Sequence, residues 1–151
     1  MIDDMAQNNS ADQLISQMEE WFSKLPPLPS NWRDVIVSIT PWLALVFGII
    51  GVLGSLAAVG VLTFLVPFVV LGSGIGVASG GIIGALLALV ASVLLVLAFP
   101  GTRNRKMSGW RLLFASEAVS FVSGVVAFSA AGIIGALIGF YILFQIRSLY
   151  K

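Results

Sequence analysis

The chain contains neither cysteine nor histidine. The first absence excludes disulfides, thiolate metal sites and thiol nucleophiles; the second removes imidazole ligands and the commonest general base. Most enzyme classes lose their usual chemistry here, and neither a catalytic residue, a cofactor site nor a metal site is expected. Charge is scarce as well: only 10% of residues are Asp, Glu, Lys or Arg. From Pro41 to the end the single acidic residue is Glu117.

What fills the sequence instead is apolar. Hydrophobic residues make up 58% of the 151, with a mean hydropathy of +1.03, well above an ordinary soluble domain. The composition places the chain in a lipid bilayer. The N-terminus lacks the basic region and short apolar core of a secretory signal, so it is expected to be retained.

The charges that remain are unevenly placed. Residues 1–40 carry six acidic against two basic groups, net −4; residues 41–151 carry six basic against Glu117 alone, net +5. Four of the eight basic residues (Arg103, Arg105, Lys106 and Arg111) sit in the loop Pro100 to Arg111, which divides two long apolar blocks. Lys and Arg beside a membrane span favour the cytoplasmic side. The connections near residues 67–77 and 129–132 have neither. The pattern predicts an all-α polytopic protein with four transmembrane helices and both termini cytoplasmic. A nucleic-acid partner is not suggested, because topology accounts for the basic residues and the head has the wrong sign.

Taken in order, residues 1–40 form an acidic head and residues 41–151 a membrane domain. Met1 to Asn9 has little to bury and reads as disordered. Ser10 followed by Gln13 is a capping-box signature, and Leu14, Met18, Trp21 or Phe22, and Leu25 recur at helical spacing, predicting an N-terminal amphipathic helix. Its apolar stripe suits either the bilayer surface, the protein's own cytoplasmic face or a docking partner. Pro26-Pro27-Leu28-Pro29 stops it and serves as a stiff spacer. Trp32 to Ile39 reads as a short interfacial segment, and Trp42 as an interfacial anchor.

Spans are expected at about 42–66, 78–99, 111–129 and 132–149, each near the length needed for a hydrocarbon core about 30 Å thick. Pro67 and Pro100 are expected to end the first two. The last two share the 35 residues from Leu112 to Ile146, so a re-entrant hairpin is the alternative to two full crossings.

Small residues recur at intervals of four: Gly72, Gly76, Gly80 and Gly84 in one row, Gly135 and Gly139 in another. Such a glycine-zipper pattern lets a second backbone approach closely. The second backbone belongs either to another span of the same chain, the first or the fourth, or to another copy.

Glu117 is the one ionisable group inside a span, about 10 Å deep at 1.5 Å per residue if Trp110 marks the interface. A charge there is costly and needs a partner. A turn centred near Ala131 brings residue 117 level with Gln145, with Arg147 and Arg111 nearer the cytoplasm and Tyr141 about a turn deeper. The candidate intramembrane network is therefore Glu117, Gln145, Arg147, Arg111 and Tyr141. The alternatives are a proton or cation site, or a neutral acid without a role.

The strings Lys106-Met107-Ser108-Gly109-Trp110-Arg111-Leu112-Leu113-Phe114 and Leu143-Phe144-Gln145-Ile146-Arg147-Ser148-Leu149-Tyr150-Lys151 resemble those of small four-span bacterial inner-membrane proteins. The resemblance covers the membrane body and implies a four-helix fold; it supplies no activity or site residues. Two functional classes follow from the residues: a non-enzymatic scaffold, accessory or assembly protein, or an oligomeric channel, holin-like pore or small transporter using Glu117. The expected partners are the lipid bilayer and a second copy or another membrane protein.

Overall fold

The computed structural model describes residues 2–151, with side chains described for residues 10–77 and 79–151. It contains five α-helices: α1 (Ile2–Ser23), α2 (Ser30–Ser73), α3 (Ile75–Arg103), α4 (Met107–Val126) and α5 (Ala130–Ile146), followed by a 3₁₀ turn at Arg147–Leu149. No strand occurs among the described residues. Among the described residues three segments are long and apolar enough to cross a membrane: Ser30–Ser73, Ile75–Arg103 and Ala130–Leu149.

Each helix from α3 onward runs antiparallel to its predecessor. Gly48 and Gly51 of α2 lie against Val96 and Ser92 of α3, and Gly81 of α3 faces Leu62. Gly84 of α3 faces Ala127, and Gly101 faces Gly109 at the opposite end of α4. Gly124 of α4 meets Gly132 of α5. The helix α4 thus lies between α3 and α5, and three of its polar side chains bond to their backbones. Ser116 Oγ donates to Ala91 O (2.8 Å), Ser123 Oγ to Gly84 O (2.8 Å) and Trp110 Nε1 to Leu143 O (2.9 Å). Without a hydrophobic force between helices in lipid, close backbone approach and such hydrogen bonds supply the cohesion.

Several boundaries differ from the sequence reading. α2 passes through both Pro41 and Pro67, and α3 continues through Pro100 to Arg103. A proline removes only one backbone hydrogen bond, and here the helix persists around each. The segment 32–39 is therefore the first part of α2, continuous with the helix beyond Pro41. At 44 residues, α2 is about 66 Å long, well beyond one hydrocarbon thickness. The reversal expected over residues 67–77 is confined to Gly74, whose φ of 87° suits glycine and whose N–H donates to Val70 O at 3.1 Å.

The turn expected at 129–132 lies at 127–129, where Phe128 takes φ 51° and the Ser129 side chain accepts from Gly132 N–H. α1 begins at Ile2 and not Ser10, since extending an existing helix costs less than nucleating one. Met1 lies outside the described residues.

The core is gathered at one end. Val37, Ala98, Trp110, Phe140, Phe144, Ile146 and Tyr150 are buried there with Ile15 of α1, and Met18 and Phe22 pack against them. The tail is pinned to the basic loop by Met107 N–H to Lys151 O (2.7 Å) and Lys151 N–H to Arg105 O (2.8 Å). The other end is apolar and bare: Phe64, Phe68, Leu71, Ile75 and Phe128 are all exposed, Phe128 at 95%.

Candidate functional site

The five residues expected to form one network divide into two places. Four of them hold the head. Arg111 pairs with Asp12 (3.6 Å), and Arg147 pairs with Glu19 while lying over the Trp110 ring. The Tyr141 hydroxyl donates to Pro26 O (2.7 Å), and Gln145 Oε1 accepts from Leu28 N–H (3.2 Å). Phe22 stacks on Phe144 with centroids 5.2 Å apart. The acidic helix and its proline linker thus lie along the ends of α4 and α5. Arg103, Arg105 and Lys106 of the basic loop make none of these contacts; Arg103 instead lies over Trp42 and Phe99.

The inward face of α1 also differs from the stripe read from spacing. Ile15 is buried with Met18 and Phe22 beside it, whereas Leu14, Trp21 and Leu25 are exposed. Spacing identifies two adjacent apolar rows but not which one meets the body, and the contact with Phe144 selects the row one residue round.

The fifth residue, Glu117, stands apart from the other four. Its side chain lies over Gly139 of α5, so close that a Cβ added at Gly139 would fall within the carboxyl group. Gly139 is the notch that admits this side chain. Among the described residues the carboxylate has no hydrogen bond or ion pair. It faces an open groove of about 440 Å³ between α2 and α5, whose walls include Ile39, Leu43, Phe47 and Ile142, with Leu95 and Leu113 from α3 and α4. Thr40 is the other polar residue on this surface, and its hydroxyl donates back to Ile36 O at 2.6 Å.

The position follows from the turn. Gly124 opposite Gly132 and Glu117 opposite Gly139 both centre the α4–α5 hairpin on residue 128. A centre at residue 131 pairs 117 with 145; moving it three residues back pairs 117 with 139.

The glycine rows do not act as continuous faces. A Cβ at Gly72, Gly76 or Gly135 would meet nothing within 4 Å, so these three make no close helix contact among the described residues. At Gly80 it would lie 3.5 Å from Val126 O and at Gly84 3.2 Å from Ala127 Cβ. The neighbour is α4, neither the first nor the fourth span that the spacing suggested. The tightest crossing joins Gly101 and Gly109, where an added Cβ on Gly101 would stand 2.6 Å from Gly109 Cα. Gly101 lies in the last turn of α3 and Gly109 in the first turn of α4, and neither belongs to a four-residue row.

Among the described residues no group of three or more Asp or Glu side chains could hold a metal ion. Comparison with family models, with curated proteins and with solved structures yields no match for this chain.

Proposed function

We propose that the chain is an integral protein of a bacterial inner membrane, with α2 to α5 crossing the bilayer, both termini cytoplasmic, and a scaffold, accessory or assembly role without catalysis. The observation that carries this reading is the separation of the two ends of the bundle. Arg103, Arg111 and Arg147 lie at the end where the head and tail are tied down, while the end near Gly74 and Phe128 offers bare aromatic and aliphatic side chains. Basic residues on one side orient a membrane protein with that side in the cytoplasm. The held α1 keeps Leu14, Trp21 and Leu25 outward, a surface suited to a membrane-associated partner or the bilayer interface.

Reporter fusions test the topology: one at Lys151 and one within residues 74–78 should report opposite sides of the membrane. Equal sidedness overturns the four-span arrangement. The role is tested by cross-linking in membranes from a cysteine introduced at Trp21. A defined adduct with another membrane-associated protein supports the scaffold, and adducts restricted to lipid count against it.

Glu117 favours a second reading, an oligomeric channel, holin-like pore or small transporter. The four helices of a single 16.0 kDa chain do not readily enclose a pore, so this reading requires an oligomer by mass in detergent and ion flux in proteoliposomes that Glu117→Gln abolishes.

A further inference from the structure

We propose that the groove between α2 and α5 binds a lipophilic ammonium ion, with the N–H groups of the cation on the Glu117 carboxylate and its hydrocarbon body along Ile39, Leu43, Phe47 and Ile142. The inference is independent of the scaffold role and of the number of crossings; it uses only the groove and the group that faces it.

Three observations define the ligand. The volume, about 440 Å³, falls in the range of small-molecule sites. The walls are almost wholly apolar, and Ile39, Leu43 and Phe47 remain 43%, 45% and 58% exposed, so the groove can be entered from the side and rewards a hydrocarbon chain. The carboxylate faces this space without a partner of its own, while Arg111 and Arg147, the cations expected to neutralise it, are engaged with Asp12 and Glu19. Gly139, having no side chain, leaves room for the carboxyl group against α5.

Charge complementarity then selects among occupants. A bare divalent cation prefers six or more oxygen ligands, and here one carboxylate and the Thr40 hydroxyl stand among aliphatic walls. An acyl chain with a neutral or anionic head fills the walls but leaves the carboxylate unmatched, and the anionic head is repelled. An ammonium ion with at least one N–H satisfies both: a charge-assisted hydrogen bond at Glu117, and burial of its chain against the groove.

The test uses the full chain in phosphatidylcholine nanodiscs and radiolabelled decylamine, with empty nanodiscs subtracted. Saturable binding of one amine per chain is expected. Glu117→Gln, which keeps the shape and removes the charge, should weaken it by at least about ten-fold, and unlabelled decanol should compete at least about ten-fold less well than decylamine. Leu43→Trp, which fills the groove from α2 and leaves the carboxylate in place, should weaken amine binding to a similar extent. The decanol and Leu43→Trp arms do not depend on how well the Glu117 variant folds. Absence of a saturable component overturns the proposal. So does decanol competing equally, which makes the occupant a neutral chain, or Glu117→Gln binding within about two-fold of the wild type, which leaves the carboxyl group neutralised by its own proton.

Discussion

Glu19 and Arg147, 128 positions apart, form the ion pair that holds the first helix against the last. The pair does not act alone. Both side chains keep access to water, and exposed pairs contribute only about 0–1 kcal/mol. Phe22 on Phe144, with Ile15 buried nearby, supplies the apolar part of the contact.

Cysteines introduced by Glu19→Cys and Arg147→Cys should therefore cross-link readily in this otherwise cysteine-free chain, and the Glu19→Cys, Arg105→Cys pair should not. High salt should lower the yield only modestly. Phe22→Ala should release the head more than Asp12→Ala or Glu19→Ala does, read as faster proteolysis around the proline linker. Equal yields from both cysteine pairs would place the head elsewhere.

Gly109→Ala should destabilise the bundle by about 1–3 kcal/mol, the usual cost of overpacking. The added methyl would meet the backbone of Gly101 and Thr102, which cannot move aside as a flexible side chain can. Gly72→Ala, with open space around it, should be near neutral or slightly stabilising through helix propensity. Thermal unfolding in detergent compares the two, and similar losses would show that the crossing is looser than described.

Ser116→Ala should cost about 0.6 kcal/mol and at most ~1.7 kcal/mol, the range found for interhelical hydrogen bonds in membranes. It removes the donor to Ala91 O. Ser120→Ala serves as the comparison on the same helix, and denaturant titration should separate the two.

Tyr150 is buried, and its hydroxyl has no hydrogen-bond partner among the described residues. Burial pushes the phenol up to about 12, partly offset by the charge of Arg105. The folded state thus holds the proton more tightly than the unfolded chain, so stability is intact below pH 10 and falls as pH rises from about 10 to about 12. Tyr150→Phe should abolish that part of the alkaline loss. At neutral pH it should be neutral or stabilising by up to about 1 kcal/mol, because it deletes an unmatched polar group. A neutral-pH loss would mean that the hydroxyl has a partner.

Much of the secondary structure was legible because its causes are local. Long apolar runs, the basic loop before Trp110 and the uncharged connection near residues 67–77 all act over a few residues. Two helix ends expected at Pro67 and Pro100 lie further on, because a proline removes only one backbone hydrogen bond and the rest of the helix continues around it.

By itself the sequence determined the all-helical class, apolar helices suited to a membrane, and the concentration of basic charge around one loop. Only the tertiary structure decided who meets whom. Each residue turns a helix by about 100°, so a three-residue displacement of the α4–α5 turn carried Glu117 from Gln145 to Gly139 and left Gln145, Arg147, Arg111 and Tyr141 free to receive the head. Which of two apolar rows on α1 faced inward was settled the same way, by the stacking of Phe22 on Phe144. Spacing sets the faces of a helix, but rotation about its axis is set by the neighbours it packs against.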